Sequence, residues 1–331
     1  MKVKANIIIF IIFLSSVSFF NIQIVKVLEA TKEQIREISV DGVKNIQNSK
    51  HYVLILKETK NSYWRNIEKG ARDAARDFGI VLEVFTLQSD SIKDELYYFK
   101  KAKASKVDGI ITYIPSQDEF LPEINDAIEK NIPVVTIYTD LQKSKRNAYI
   151  GINWYEAGYK AGTIMLKNLN SLNNIAIITE EYKKNVADQE KINTMIKGFN
   201  DSITEKSTVK IQTIETCIPG IANGKQKAMY IFEKYPGVNA IYCTNSLSTI
   251  GVAQCVKEMN KQHDIILIGY GFDNDIRKYL KEGIIQGTIM DFPYKIGYKS
   301  IETIQQIQEG KRVMTFIDTG TVFLSKYDYD F

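Results

Sequence analysis

The run Tyr52-Val53-Leu54-Ile55-Leu56, followed by a helical pattern from Trp64 to Phe78, indicates the fold class of this chain. The run is short, apolar and rich in β-branched residues, which is typical of a strand buried on both faces of a sheet. The residues that recur at helical spacing behind it are Ile67, Ala71, Ala74 and Ala75. The folded part of the chain therefore begins with a strand followed by an amphipathic helix.

The same unit recurs along the chain. Further apolar runs occupy Val81–Thr86, Gly109–Tyr113, Val134–Tyr138, Ala148–Gly151, Ile175–Thr179, Val209–Ile214, Ala240–Cys243 and Ile265–Gly269. Helical patterns separate nearly all of them, which predicts an α/β architecture with parallel sheets covered on both faces. Because so many strands exceed one sheet of usual size, we expect two doubly wound parallel-sheet lobes.

Composition excludes several classes of function. The 331 residues are 44% hydrophobic and 25% charged, as in soluble globular proteins. Lys and Arg (43) nearly balance Asp and Glu (39), and the basic residues are scattered, so we expect no nucleic-acid partner.

The chemistry-bearing residues are sparse. Three Cys and two His lack the spacing of a zinc site, so we expect no metal and three separate buried thiols. No nucleophile–base pair with an orienting third group is visible, with His51 before the first strand and His263 in a polar loop. The sequence therefore predicts a protein that is not an enzyme and needs no cofactor.

The N-terminus carries an export signal. Lys2 and Lys4 precede an apolar run from Ile7 to Leu14, and apolar character continues to Leu28. We interpret residues 1–30 as an uncleaved signal anchor whose helix crosses the membrane once, with the rest of the chain outside the cell. The alternative is cleavage, for which Ser16 and Ser18 offer a weak site.

Residues 31–50 form a candidate juxtamembrane helix. Ile35, Ile38, Val43 and Ile46 lie at helix-like spacings among polar residues. Such a helix either packs on its own domain or docks on a partner, and the sequence leaves both open.

The loops that follow the predicted strands are rich in aromatic and amide side chains. In open parallel sheets, ligands bind at the carboxyl ends of the strands. Ring faces stack on the C–H faces of a polyhydroxylated molecule, and planar amides pair with its hydroxyls. These loops carry no cationic cluster, so they favour a small polyhydroxylated ligand over a phosphate.

Several segments carry a family resemblance. They are Asn61–Ala71, Ser144–Asn153, Glu156–Gly162, Lys197-Gly198-Phe199, Asn239-Ala240-Ile241 with Asn245, Lys281-Glu282-Gly283, Pro293–Tyr298 and Ile317–Gly320. In this order they resemble the type I periplasmic sugar-binding proteins, the ribose-binding family, over about residues 52–328. The resemblance implies two lobes joined by three crossovers that close on a ligand. Lobe 1 is then 51–152 plus about 292–316, and lobe 2 is 153–291 plus about 317–331.

The resemblance also implies ligand contacts. Asn61, Tyr63 and Trp64 match the first-lobe contacts, the two aromatics stacking on the sugar. Asn245 matches the second-lobe amide, and Asn153 lies in the crossover beside the cleft. A last candidate, Asp291, stands where sugar binders usually have Gln. The alternatives are that the two aromatics belong to the lobe core, that Asn61 and Asn245 are turn and helix-cap residues, and that Asp291, like Asp273 below, is a hinge or capping carboxylate.

Other positions depart from the family pattern. Tyr138 replaces a cleft Asp, with Asp140 two positions later, and Met195 stands where the family has Arg. Gly271 replaces another Asp, for which Asp273 is a substitute. Losing charged partners removes charge-assisted hydrogen bonds, so we expect a pentose or other monosaccharide to be bound differently from the family's usual ligands.

Two functions fit these observations. The first is a membrane-anchored sugar receptor that signals to the ectodomain of a sensor histidine kinase. The alternative is the solute-binding component of an ABC sugar importer, acting on a membrane permease.

Overall fold

The computed structural model describes residues 49–57, 62–87, 91–115, 117–169, 173–181, 186–204 and 209–328. A compact unit begins at His51. The predicted anchor and nearly all of the predicted juxtamembrane helix lie outside the described residues, as does Asn61. Within the described ranges, no helix combines the length and apolar character that a membrane span requires.

Lobe 1 is built around a six-stranded sheet in the order β11-β5-β4-β3-β1-β2, in which every paired strand runs parallel. Its first elements are β1 (His51–Leu56), α1 (Ser62–Asp77), β2 (Val81–Thr86), α2 (Ile92–Ala104), β3 (Gly109–Tyr113), α3 (Gln117–Glu129), β4 (Val134–Ile137) and β5 (Ala148–Gly151). They are completed by α9 (Pro293–Gln308) and β11 (Phe316–Asp318). The four inner strands, β1, β3, β4 and β5, are almost wholly buried because hydrophobic clusters cover both faces of the sheet, whereas the edge strands β2 and β11 are partly exposed.

Lobe 2 repeats this plan, with the sheet order β12-β10-β9-β8-β6-β7. Its elements are α4 (Trp154–Asn168), β6 (Asn173–Glu180), α5 (Val186–Ile203), β7 (Val209–Cys217), α6 (Ile221–Lys234), β8 (Val238–Cys243), α7 (Ser246–Glu258), β9 (Ile266–Tyr270), α8 (Asn274–Lys281), β10 (Gly287–Asp291) and β12 (Thr321–Ser325). The edge strand β12 pairs antiparallel with β10. The predicted class of two α/β lobes with parallel sheets is confirmed.

The chain passes between the sheets three times, after β5, after β10 and after β11. The carboxyl ends of β1, β3 and β4 in lobe 1 therefore face those of β8, β9 and β10 in lobe 2. This arrangement places the loops that follow the strands on the two walls of one cleft.

The helices that flank the cleft pack in close pairs. A Cβ atom added to Gly158 of α4 would lie 1.8 Å from the carbonyl oxygen of Met195 on α5. Glycine here permits near-contact of the two backbones, and this fixes which face of α5 is turned towards the core.

Candidate functional site

A cleft of about 720 Å³ separates the two lobes. Lobe 1 contributes Lys57, Ser62, Tyr63, Trp64, Asn66, Tyr138, Tyr294 and Lys295. Lobe 2 contributes Trp154, Glu180, Lys191, Pro219, Thr244, Asn245, Ser246, Leu247, Tyr270, Gly271, Phe272, Asp273, Met290 and Asp291. Phe292 and Pro293 line it at the second crossover. Its walls thus combine aromatic rings with amide, hydroxyl and carboxylate groups, as small-molecule sites do.

Aromatic rings form the lobe 1 wall. Tyr63 lies edge-on to Trp64 and Tyr138, with ring centroids 5.7 and 5.5 Å apart, and Trp64 and Tyr138 are 5.0 Å apart. Trp64 is only 6% exposed and belongs to the lobe core. An edge of this indole therefore reaches the cleft while most of the ring packs inside the lobe.

Tyr138 turns into the cleft because its backbone is left-handed, with φ of 65°. Its hydroxyl contacts the Lys191 ammonium, which lies 4.0 Å from the Tyr138 ring centroid and 4.7 Å from that of Trp154. The Trp154 indole N–H donates to the Tyr138 carbonyl at 3.3 Å. The side chain that replaces the family's Asp is thus held by groups from lobe 2.

Asn245 and Asp273 on the lobe 2 wall are helix caps that also line the cleft. The Asn245 side chain accepts from Ser248 N at 2.8 Å and begins α7, while Asp273 accepts from Ile276 N at 2.9 Å and begins α8. Burial raises the pKa of Asp273. Both residues therefore cap a helix and line the cleft, and their contact with a ligand stays a prediction.

Asp291 ends β10 at the back of the cleft and is only 3% exposed. The Tyr63 hydroxyl donates to Asp291 Oδ2 at 2.7 Å and joins the two lobes. Burial raises the pKa of Asp291 because the charged form is poorly solvated there, and the Tyr63 hydrogen bond only partly offsets this.

Asp291→Asn should be more stable than wild type, and the difference in stability between the two proteins should grow as pH rises from about 4 to 7. Since the folded pKa lies above the unfolded value of 3.8, the native state binds the proton more tightly. Wild-type stability therefore falls as pH rises through that window, by up to about 1.4 kcal/mol per unit of pKa difference. Melting temperatures of both proteins between pH 4 and 7 test this.

Asp188→Asn is the control, because the pKa of Asp188 is lowered. Its effect on stability should be constant above about pH 5, where the carboxylate is ionised in both states. A constant difference for Asp291→Asn as well would contradict a raised Asp291 pKa.

Three predicted site residues within the described ranges, Asp140, Asn153 and Met195, lie outside this cleft. Asp140 forms an ion pair with Arg146, whose Nη2 lies 2.6 Å from Asp140 Oδ2, and Asn153 caps α4 by accepting from Glu156 N at 3.1 Å. Both line a second cavity of about 890 Å³. The Arg146 guanidinium pairs with Asp140 within lobe 1, so the hydrogen-bonding capacity of this carboxylate is used there rather than in the cleft.

Met195 lies in the core of lobe 2 and is 1% exposed. The close approach of α4 at Gly158 turns this face of α5 inward, away from the cleft. One turn earlier on the same helix, Lys191 reaches the cleft instead. A cation is therefore present on α5, but not at the position that the resemblance implied.

Sequence reasoning missed Lys57, Trp154, Lys191 and Asp188. Lys57 and Trp154 directly follow a strand and a crossover, so their positions gave a usable signal. The contact between Lys57 and Asp188 joins residues 131 positions apart, with 2.8 Å between Nζ and Oδ2. No local pattern predicts such a pair.

Cys217, Cys243 and Cys255 are free and buried, in agreement with the prediction of separate thiols. Burial raises the pKa of each thiol. Within the part of the chain that the structure describes, no group of three or more His, Cys, Asp or Glu side chains is placed to hold a metal ion.

The chain belongs to the periplasmic binding protein domain family, whose sequence profile matches residues 52–312. The predicted resemblance to the type I sugar-binding proteins is thereby confirmed. The chain is a non-enzymatic solute-binding protein, as predicted.

Three relatives are informative. GanP, a glucose-galactose binding protein from Geobacillus stearothermophilus, is 36% identical, with a TM-score of 0.78 over 86% of this chain and 100% of GanP. XylFII, solved in a complex with LytSN, is 30% identical, with a TM-score of 0.75 over 85% of this chain and 99% of XylFII. The ribose import binding protein RbsB of Haemophilus influenzae is 23% identical over 278 residues, covering 82% of this chain and 90% of RbsB.

Proposed function

We propose that this protein is an extracytoplasmic receptor that closes on a small carbohydrate and passes that closure to a membrane sensor histidine kinase. The observation that carries the proposal is the cleft of about 720 Å³ between two lobes, with aromatic rings and amides on its walls. A monosaccharide enclosed there would stack on rings and pair its hydroxyls with Asn245, Asp291 and Glu180. The 36% identity to a glucose-galactose binding protein supports a hexose ligand, and the likeness to the ribose import binding protein RbsB supports a pentose.

The signalling part of the proposal rests on two further points. XylFII, which shares 30% identity with this chain, forms a complex with a second protein chain, LytSN. The apolar segment from Ile7 to Leu28 would anchor the receptor in the cell membrane by a single pass, with the binding lobes outside. A tethered receptor diffuses in the same plane as a membrane kinase and need not leave it.

The second candidate is the solute-binding component of an ABC sugar importer. It is favoured by the likeness to the ribose import binding protein RbsB. Such a component delivers its sugar to a permease, so its lobes must present the closed form to a transporter rather than to a kinase.

Purification of the full chain from detergent-solubilised membranes distinguishes the two candidates. We expect the protein to sediment with membranes, to resist high-salt extraction and to retain Met1 or Lys2 by N-terminal sequencing. We also expect a histidine kinase to co-purify in an amount that changes when galactose or glucose is added, because a ligand shifts an equilibrium only through its differential affinity for open and closed forms. A soluble, shortened product, or co-purification of a permease instead, would support import.

A further inference from the structure

An ion pair crosses the cleft between the end of β1 in lobe 1 and the first turn of α5 in lobe 2. Lys57 directly follows β1, and its Nζ lies 2.8 Å from Asp188 Oδ2. Tyr113, the last residue of β3, donates its hydroxyl to the same oxygen at 2.7 Å. Two strands of one lobe are therefore joined to one carboxylate of the other.

The pair is shielded from water. The side chain of Asp188 is fully buried, that of Lys57 is 13% exposed, and Tyr113 is 1% exposed. Charges screened so little by solvent interact strongly at this distance. Asp188 also lies in the first helical turn of α5, where the helix dipole favours a negative charge.

The balance of forces at Asp188 favours the ionised form in the closed arrangement. Burial alone would raise its pKa, but the charges of Lys57 and Lys191 and the hydrogen bonds from Lys57 and Tyr113 outweigh burial and lower it. Lys191 lies 4.0 Å from Asp188 Oδ1, and burial lowers the pKa of Lys191 itself. The largest stabilising contribution therefore comes from Lys57 of lobe 1, to which the Lys191 charge on the same helix and the Tyr113 hydrogen bond from lobe 1 add.

The position of the pair makes it sensitive to hinge opening. The contact between Tyr63 and Asp291 also joins the lobes, but Asp291 lies beside the second crossover, where lobe movement displaces atoms least. Asp188 lies on the helix after β6, which β8 and β9 separate from β10 in the lobe 2 sheet, and β4 separates β1 and β3 of lobe 1 from the crossover strand β5. Opening the cleft must therefore separate Asp188 from both Lys57 and Tyr113.

We propose that Lys57, Tyr113 and Asp188 form a cross-lobe latch that holds the cleft closed through protein atoms alone, so that closed molecules are populated without sugar. Asp188 is then a positioning residue, since it does not line the cleft but sets the fraction of molecules in the closed form. A site that is competent only when closed has an apparent dissociation constant equal to the intrinsic value divided by that fraction. The inference goes beyond the proposed function, because it concerns the sugar-free equilibrium and is independent of the ligand and the partner.

Spin labels on the two sides of the cleft mouth test the latch. Asn66 on α1 of lobe 1 is exposed and lines the cleft, and Asn274 on α8 of lobe 2 is exposed and follows the lining residue Asp273. The labels are attached through the changes Asn66→Cys and Asn274→Cys. The native cysteines are no more than 8% exposed, which directs labelling to the introduced thiols. Inter-label distances are measured by pulsed electron paramagnetic resonance on the full chain in detergent, without sugar.

We expect the latch-intact protein to show mainly the short distance, and Asp188→Asn and Lys57→Met each to shift most molecules to a longer one. The double variant should shift the distribution no further than either single change, since both break the same contact. Tyr113→Phe, which removes one hydrogen bond, gives an intermediate shift and serves if Asp188→Asn fails to fold.

Asp140→Asn is the matched control. It breaks the similarly shielded Asp140–Arg146 pair, in which the side chains are 17% and 8% exposed, but both partners belong to lobe 1. The control should retain the short distance. Any one of three results would overturn the latch. The latch-intact protein could show mainly the long distance, Asp188→Asn and Lys57→Met could leave the distance distribution unchanged, or the control could shift it equally.

Discussion

Trp64→Ala should lower the free energy of unfolding by about 3–5 kcal/mol, the range for truncating a large aromatic side chain in a core. Trp64 is 6% exposed and packs against Tyr113 and Tyr138 with ring centroids 5.6 and 5.0 Å away. Its removal leaves a cavity beneath the cleft wall that neighbouring rings fill only in part. Urea unfolding of the variant and wild type measures the difference.

Phe78→Ala is the control for this change. Phe78 follows the last residue of α1, is 38% exposed, and its ring centroid lies 6.3 Å from that of Tyr298. Phe78→Ala should lower the free energy of unfolding by about 1 kcal/mol or less. If Trp64→Ala lowered the free energy of unfolding no more than Phe78→Ala does but abolished sugar binding, the indole would be a stacking surface rather than part of the core.

Phe272→Ala should weaken sugar binding about tenfold or more, which corresponds to about 1.4 kcal/mol or more. Phe272 follows β9 and lines the lobe 2 wall of the cleft, where it is partly exposed. The Arg277 guanidinium lies 5.0 Å from its ring centroid and helps to hold the ring in place. The ring is suited to stack on the C–H face of a bound sugar, an attraction that alanine cannot supply.

Calorimetric titration measures this effect, and Phe78→Ala again supplies the same chemical change away from the cleft. Its affinity for sugar should equal that of wild type. An affinity unchanged by Phe272→Ala would exclude the ring from the binding surface.

The sequence predicts which residues follow the strands at the cleft. Parallel strands bring the residues that follow them to one edge, so Tyr63, Trp64, Tyr138, Asn245 and Asp273 were placed at the cleft by pattern and resemblance together. The predicted strand Val134–Tyr138 ends one residue early, at Ile137, because Tyr138 takes a left-handed backbone. That departure is local and aims the Tyr138 ring into the cleft.

The remaining features depend on contacts between distant segments. Met195 occupies a position of α5 that packs on α4, and only the Gly158 contact in three dimensions fixes that face. Asp140 forms an ion pair with Arg146, six residues later. The sequence shows both charges, but it does not determine that their side chains meet. Lys57 and Asp188 meet only because the lobes do.

Calorimetric titration of the full chain with galactose, glucose, arabinose, xylose and ribose measures whether the cleft binds a small carbohydrate. We expect saturable binding of at least one of them at one site per chain, accompanied by thermal stabilisation. At 100 times the dissociation constant, that stabilisation should reach about 2.7 kcal/mol. If no sugar gave a heat of binding or stabilised the protein at millimolar concentration, the proposal that the cleft binds a small carbohydrate would be contradicted.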